Sequence, residues 1–368
     1  MTIFASIEQL QPVSAAASGE YTKKTGLIRA SVNETLTGLE NIHSLTGNCP
    51  LKTLHDIHRH HTLFLSSVFR LSNYTLLAKM IVWMYRAYPA HGFSHDYFTA
   101  AFSAWRMAVR RQLSESGAAE VDRIYEWMAD HHGDFVRLAK SADYQVFSDN
   151  KAEAVYGSFL IQLLQGDYQG CLAFGERYLN GGSELASFYV DVIEASMYEI
   201  GRLWETGQIS VAQEHLATAV VTRVMLSLFL RYRPGQGNSA KAVIAAVPSE
   251  FHEVGGRMAA DLLERHGWDV DYLGVDMPRQ DLVRYLQINQ PCFVGLAVVM
   301  PFNLAAAREI RDDIRRDHSL DGVRIMVGGA AFRHSEDLWR QVGADAYATD
   351  GQAAVSIARK WLEEKQSP

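Results

Sequence analysis

The sequence predicts a multi-domain protein in which two all-α regions precede an α/β domain with a doubly wound parallel sheet. Apolar residues recur at helical spacing from residue 46 to 148 and again from 149 to 234. Over 240–368, short apolar runs alternate with amphipathic helical stretches, which is typical of a parallel sheet covered by helices. We therefore expect a helical domain, a four-helix bundle and a Rossmann-like domain over these three ranges, preceded by an N-terminal extension over 1–45.

The composition excludes several classes of protein. The 368 residues are 48% hydrophobic and 21% charged, which is typical of globular domains. A formal net charge of -7 disfavours direct nucleic-acid binding, which needs clustered Lys and Arg. The three cysteines, Cys49, Cys171 and Cys292, are too dispersed for a disulfide framework or a zinc site. Such cysteine usage fits a reducing cytoplasm, and we expect a cytoplasmic protein. We expect no membrane association, because no apolar run approaches the length of a membrane span.

The helical elements are predicted from spacing and from breaks. In the first helical domain the apolar positions are Leu63, Val68, Phe69, the run from Met80 to Tyr85, Phe98, Phe102, Trp105, Ile124, Trp127, Phe135 and Leu138. In the bundle, breaks at 166–167, 180–182 and Gly207 divide the sequence into four helices. A stretch rich in Pro and Gly at 233–239 is predicted to be a linker.

The α/β domain is predicted from five apolar runs, and the loop after the first run contains a chemical motif. The predicted strands are 242–247, 270–274, 293–299, 324–327 and 346–349. Ligands of such sheets bind at the carboxyl ends of the strands, so residues 248–256 are the first candidates. This loop contains no GxGxxG motif, and NAD is therefore not expected. It contains an imidazole flanked by carboxylates, followed by two glycines that let a large group approach the backbone.

This loop resembles the cobalamin-binding motif. The pattern is Glu250-x-His252-x-x-Gly255, where the family usually has Asp first. The family continues with Ser-x-Leu and then Gly-Gly, and the same spacing reaches residues 297–299 and 328–329 here. The resemblance implies that His252 is the lower axial ligand of cobalt and that Glu250 fixes its tautomer. The alternative is a surface histidine among ordinary turn glycines.

The resemblance also implies which residues line the channel for the nucleotide tail of the cofactor. These residues are Gly255, Ala297, Val299, Gly328 and Gly329. Ala297 stands where the family has Ser, so a hydroxyl contact to the tail is lost and a narrow, apolar channel is kept.

A second motif lies in the bundle between Trp204 and His215. Gly207 is predicted to end one helix, and Ser210 with Gln213 is predicted to form a capping box at the start of the next. Glu214 and His215 then fall in the first helical turn, where the helix dipole disfavours a protonated imidazole.

The Trp-x9-Glu-His pattern is similar to the light-sensing cobalamin module of CarH and LitR type regulators. The resemblance implies that Trp204 and Glu214 pack around the 5'-deoxyadenosyl group of adenosylcobalamin. It also implies that His215 binds cobalt from above once light has broken the cobalt–carbon bond. The alternative is a core tryptophan with two polar residues at a helix start.

The first helical domain resembles a degenerate globin. Residues 88–98 follow the bacterial globin pattern around the proximal histidine, with Tyr88 at the histidine position. A degenerate globin before such a cobalamin module resembles a photocobilin, which implies biliverdin as a second chromophore. Candidate bilin-binding residues are His55, His58, Arg59, Arg86, Tyr88, His91 and His95, with His60 and His61 nearby. The alternatives for this stretch are a polar helix face or a metal site, and Cys49 is a thioether candidate or a free thiol.

The resulting hypothesis is a photoreceptor, a signalling protein and not an enzyme, that binds adenosylcobalamin and biliverdin. We expect a homo-oligomer whose assembly depends on light, together with a separate signalling partner. One alternative is a corrinoid methyl-group carrier for a separate methyltransferase. Another is an oxygen or haem sensor fused to a corrinoid domain, which the presence of Tyr88 at the histidine position disfavours.

Overall fold

In the computed structural model, the described residues are 3–141, 153–182, 184–232 and 240–366. The chain divides into two compact units. The first unit comprises Met1–Val146 with Glu205–Gly207, and the second comprises Phe147–Trp204 with Gln208–Pro368. The predicted linker at 233–239 lies outside the described residues.

The described part of the first unit is helical, as predicted. Its helices are α1 (Ile3–Ile7), α2 (Ala15–Thr37), α3 (Ile42–Thr46), α4 (Leu51–Leu71), α5 (Tyr74–Ala90), α6 (Asp96–Gln112), α7 (Glu115–Asp130) and α8 (His132–Ala139). Side chains of Asn73 and Ser114 accept hydrogen bonds from the first turns of α5 and α7, so local capping helps to set where these helices begin.

The described residues 3–45 belong to the first compact unit, in contrast to the separate extension predicted over 1–45. Helix α2 packs against α4, α6 and α7. Its Tyr21, Ile28, Val32 and Leu36 are fully buried. These four residues recur at helical spacing, so the sequence did contain the signal for a core-facing helix.

The helical part of the second unit precedes the sheet. It comprises α9 (Glu153–Leu164), α10 (Tyr168–Asn180), α11 (Leu185–Ser187), a π-helix (Phe188–Glu194), α12 (Ala195–Glu205) and α13 (Val211–Arg231). Gly207 has a left-handed φ of 69°, and the Gln208 N–H bonds the Leu203 carbonyl, so α12 ends as predicted. The capping box of Ser210 and Gln213 begins α13, which is also as predicted.

The remainder of the second unit is a five-stranded parallel sheet in the order β2-β1-β3-β4-β5. The strands are β1 (Lys241–Ala246), β2 (Asp269–Tyr272), β3 (Phe293–Ala297), β4 (Arg324–Gly328) and β5 (Ala346–Ala348). The helices are α14 (Val254–Arg265), α15 (Arg279–Asn289), α16 (Leu304–Arg316), α17 (Leu338–Val342) and α18 (Gly351–Gln366). Contacts pair α14 with α18 and α15 with α16. The predicted parallel-sheet domain is confirmed.

The strand order determines where a ligand crevice forms. The chain leaves β1 toward β2 on one side and returns to β3 on the other, so β1 and β3 flank the topological switch point. Their last residues, Ala246 and Ala297, are paired in register, and Ala297 is paired in turn with Gly328. The loops that follow these strands therefore emerge side by side. None of the described helices combines the length and hydropathy needed to cross a membrane.

Candidate functional site

The loop after β1 holds His252 by one ring nitrogen. His252 Nδ1 lies 2.5 Å from Glu250 Oε1, and the His252 backbone N–H donates to the same oxygen at 3.3 Å. Glu250 is fully buried, whereas 52% of the His252 side chain is exposed. Because Nδ1–H donates a hydrogen bond to the carboxylate, the neutral ring carries its lone pair on Nε2. Nε2 is the nitrogen that a metal would bind.

The buried carboxylate is held by the loop after β3. Glu250 Oε2 accepts hydrogen bonds from the backbone N–H groups of Val299 and Met300, both at 2.9 Å. It also accepts one from Asn303 Nδ2 at 3.1 Å, and Asn303 is itself 2% exposed. A buried charge needs such partners to be tolerated. The two loops at the switch point are thus joined through one carboxylate.

The contact between Glu250 and His252 shifts the pKa of each side chain. Burial acts to raise the pKa of Glu250, but the hydrogen bond and charge of His252, together with the hydrogen bonds from Met300 and Asn303, hold this pKa below its usual value. Burial acts to lower the pKa of His252, but Glu250 and, at longer range, Glu214 raise it above its ordinary value. The pair resembles the carboxylate–histidine arrangement that orients metal-bound imidazoles.

Glycines beside this pair leave space for a ligand. A Cβ added to Gly255 meets nothing within 4 Å, so the side of α14 at this residue is open. A Cβ on the next glycine, Gly256, would lie 3.3 Å from the Tyr272 ring and 3.6 Å from the Ala297 side chain. Ala297 and Tyr272 therefore both lie close to Gly256, the residue after Gly255.

The paired glycines after β4 also have a structural role. Gly329 has a φ of 107°, a conformation that favours glycine. A Cβ there would clash with the backbone carbonyl of Val298. At Gly328 the nearest atom to an added Cβ is the Ala348 carbonyl oxygen, at 3.3 Å. Close backbone approach is thus sufficient reason for glycine at 329, whether or not a ligand passes there.

The first turn of α13 contributes the bundle side of the site. His215 Nδ1 lies 2.7 Å from Glu214 Oε2, and the His215 side chain is 74% exposed. One turn further on, the Thr218 hydroxyl donates to Glu214 Oε1 at 3.1 Å. The Thr222 hydroxyl donates to Glu253 Oε1 at 3.1 Å. Because Glu253 follows His252 in the loop after β1, α13 lies alongside this loop.

Trp204 lies in the last turn of α12, three residues before Gly207. It is partly buried and packs against the hydrophobic core shared by the bundle and the sheet. The structure thus places Trp204, Glu214 and His252 in one unit, and it brings the charge of Glu214 within range of His252.

The candidate bilin residues of the first unit differ in burial and in the contacts that they make. His58 is 1% exposed, with Nδ1 2.5 Å from Asn33 Oδ1 and Nε2 2.9 Å from the Tyr97 hydroxyl. Both of its ring nitrogens are therefore used inside the helical core. His61, one turn further along α4, bonds the Tyr125 hydroxyl at 3.1 Å. These contacts place the two histidines in the core instead of on a polar helix face.

The other candidates lie at varied depths. His55 and His91 are exposed, and Arg59, Tyr88 and His95 are half-buried. Tyr88 packs against Phe93 and Phe98, with ring centroids 5.2 Å and 5.5 Å away. Arg86 lies 3.5 Å from Glu205 within the first unit.

Several site residues escaped the sequence analysis. Asn303, Met300 and Thr222 contact the loop after β1 from positions distant in sequence, so no local pattern pointed to them. Tyr272 ends β2, and its hydroxyl donates to the Glu253 carbonyl at 3.1 Å. The sequence signal that could have identified Tyr272 is its position at the carboxyl end of a predicted strand.

Two parts of the second unit match known families. Residues 240–358 and residues 157–228 each match a family described as B12 binding domain. The HTH-type transcriptional repressor CarH of Myxococcus xanthus is 31% identical over 159 residues, which cover 43% of this chain and 52% of the repressor. The chain thus spans about half the length of this relative.

Corrinoid proteins also match part of the chain. Dimethylamine corrinoid protein 1 of Methanosarcina acetivorans is 25% identical over 173 residues, which cover 46% of this chain and 80% of that protein. The solved monomethylamine corrinoid protein of Methanosarcina barkeri covers 57% of this chain and 99% of its own, with a TM-score of 0.51 and 18% identity. At this identity the likeness shows the fold alone.

These matches define the class of protein. The chain carries B12-binding domains and is a cobalamin-binding protein. The side chains fit such a cofactor, because an imidazole with its Nδ1 held by a buried carboxylate is a suitable cobalt ligand, and the open side of Gly255 leaves room beside it.

Proposed function

We propose that this protein is a light sensor that binds adenosylcobalamin between the loop after β1 and the start of α13. One observation carries the proposal: His252 and His215 are held in the same way. Each imidazole has its Nδ1 against a carboxylate, Glu250 or Glu214, so each neutral ring offers Nε2. The resemblance of Trp204, Glu214 and His215 to the light-sensing cobalamin module supports the same conclusion.

The residues have distinct roles in this proposal. His252 binds cobalt from below, and Glu250 fixes the tautomer and orientation of its ring. Trp204 and Glu214 shield the upper face from water, and His215 binds there after illumination. The cofactor supplies a cobalt–carbon bond that light breaks. The protein then signals through a change in structure and does not turn over a substrate.

Absorption spectra test the assignment of His215. With adenosylcobalamin bound, green light should convert the protein to a form with imidazole on both faces of cobalt. His215→Ala should give a water-ligated photoproduct. His266→Ala is a matched control, since His266 is an exposed histidine at the far end of α14. Identical photoproducts from wild type and His215→Ala would overturn the assignment.

We propose further that illumination changes the assembly of the protein, as a homo-oligomer that signals to a separate partner. The physical reason is that loss of the adenosyl group removes the ligand surface against which Trp204 packs. Light scattering of the loaded protein before and after illumination measures this change. An unchanged mass would contradict the proposed assembly switch.

Biliverdin is the proposed second chromophore of the first unit, on the strength of the globin-like pattern and the photocobilin resemblance. The exposed or half-buried candidates His55, Arg59 and His91 are suited to pair with its propionates. Coexpression with haem oxygenase should give a red-absorbing protein, and Cys49→Ala should retain the colour because the bilin is bound without a covalent bond. A haem spectrum, or no uptake of biliverdin at micromolar concentration, would refute this part.

A corrinoid methyl-group carrier is the second candidate function. The observation in its favour is the match to 80% of dimethylamine corrinoid protein 1. A carrier must let a methyltransferase reach cobalt, so Trp204→Ala and His215→Ala would leave methyl transfer intact. Under the light-sensor proposal these two substitutions should alter the photochemistry.

A further inference from the structure

The helix that ends at Trp204 contains a π-helical segment. Residues Phe188–Glu194 are π-helical and continue directly into α12, so Trp204 lies ten residues after the end of the segment. π-helices are rare, and they occur frequently at functional sites.

Two side chains of the π-helix tie it to the sheet domain. The Tyr189 hydroxyl donates to Asp261 Oδ2 on α14 at 2.8 Å, and both residues are buried. At the other end, Glu194 Oε1 accepts from Arg333 Nη2 at 2.5 Å. Arg333 follows β4 by five residues, and its guanidinium also lies 4.7 Å from the centre of the Tyr198 ring. We call these two contacts the anchors.

The π conformation gives the two anchors a common face. Tyr189 and Glu194 are five residues apart. Hydrogen bonds run i→i+5 in a π-helix, so residues five apart lie nearly above one another. In an α-helix residues four apart do so, and each further residue rotates the side chain by about 100°. With α-helical geometry only one anchor would face the sheet domain.

We propose that Tyr189 and Glu194, held by Asp261 and Arg333, are positioning residues that fix the rotation of the helix carrying Trp204, and that the π-helix serves to align these two anchors. The proposal rests on the proposed function only for the role of Trp204 beside the cofactor. The anchoring itself concerns the protein without a ligand.

Two single-residue deletions test the alignment. Deletion of Val190 leaves Tyr189 and Glu194 four residues apart, so an ordinary α-helix keeps both anchors and the rotation of Trp204. Deletion of Gly201, an exposed residue beyond both anchors, instead rotates Trp204 by about 100° relative to them. The first variant should bind adenosylcobalamin within about threefold of wild type, and the second should bind about tenfold or more weakly.

If the Val190 deletion unfolds, or weakens binding as much as the Gly201 deletion, the π-helix is not an alignment device and the proposal is wrong. If wild type binds adenosylcobalamin without any photochemistry, the light-sensor proposal fails while the comparison of the two deletions still judges the anchors.

Hydrogen exchange of the ligand-free protein tests the anchors directly. Tyr189→Phe and Arg333→Met should each speed exchange of amides in 188–205 by about tenfold, with strands β1 and β3 unchanged. Arg333→Lys should keep part of the protection that Arg333→Met loses. The double variant Glu194→Arg with Arg333→Glu should be better protected than the variant with either substitution alone. Unchanged exchange in the single variants, or no restoration by the swap, would overturn the proposal.

Discussion

The two units use histidine in opposite ways. In the first unit, His58 is 1% exposed, and both of its ring nitrogens are hydrogen-bonded. Burial, with a smaller contribution from His55, lowers its pKa to about 4. In the second unit, His252 uses only Nδ1, and Glu250 raises its pKa above the ordinary value against the effect of burial. The difference shows that an available nitrogen, and not a high density of histidines, marks the candidate ligand.

The largest expected effect is a loss of folding stability of the first unit at acidic pH. Burial lowers the pKa of His61 to about 3, with a further contribution from His58. Both histidines are therefore neutral in the folded first unit at pH 7. Because the unfolded chain binds protons more readily, the stability of the first unit is complete above pH 6.5 and is lost as the pH falls below it. At pH 5 the loss is about 2 kcal/mol for each histidine.

Hydrogen exchange of α4 at pH 7 and pH 5, corrected for intrinsic rates, measures this loss. The double variant His58→Gln and His61→Gln should show a much smaller pH dependence. Equal protection of α4 at both pH values in wild type would show that the two histidines are not neutral core residues.

A buried carboxylate in the second unit gives the next effect, with the opposite sign. Burial raises the pKa of Asp261 to about 6 from 3.8, although the Tyr189 hydrogen bond and Arg257 act to lower it. The stability from this group is present at low pH and is lost as the pH rises through 6. The rise corresponds to about 3 kcal/mol, so Asp261→Asn should stabilise the second unit by up to that amount at pH 8.

Urea unfolding of Asp261→Asn at pH 8 and pH 4 checks the sign. The gain should disappear at pH 4, where the aspartate is protonated. Asp269→Asn is the exposed control, with 60% of its side chain accessible, and it should change stability little at either pH. A destabilised Asp261→Asn at pH 8 would contradict the argument.

Matched histidine substitutions sharpen the comparison at the site. His252→Ala should weaken cobalamin binding by about 100-fold, and Glu250→Gln should weaken it by about tenfold or more. The first effect is larger because it removes the cobalt ligand itself, whereas the second removes only the partner that orients it. His58→Gln should leave the affinity unchanged. Titration with hydroxocobalamin, followed by its visible spectrum, measures all three. Wild-type coordination in His252→Ala would show that another residue binds cobalt.

The smallest effect distinguishes two glycines that the sequence treats alike. Gly329→Ala should destabilise the second unit by about 1–3 kcal/mol, since its φ is positive and its Cβ meets the Val298 backbone. Gly255→Ala should leave stability within about 1 kcal/mol, since its Cβ faces open space, and should weaken cobalamin binding. Thermal unfolding and cofactor titration of both variants check this. A reversed pattern would assign the ligand-contacting role to Gly329.

Local sequence determined the features that depend on short spacing. The pairing of Glu250 with His252 is made two residues apart in one loop, and the capping box joins Ser210 to Gln213 three residues away. Such contacts form within a single turn, so a pattern of residue types predicts them. The alternation of strands and helices likewise predicted the parallel sheet.

Only the tertiary structure decided which partners complete these features. Asn303 reaches Glu250 from 53 residues away, and Asn33 and Tyr97 occupy both nitrogens of His58 from two other helices. The π-helix follows from anchors on α14 and after β4, and helical periodicity within 188–205 gave no sign of it. Hydrogen bonds between distant segments form only where packing brings the segments together, and burial then decides which groups stay neutral.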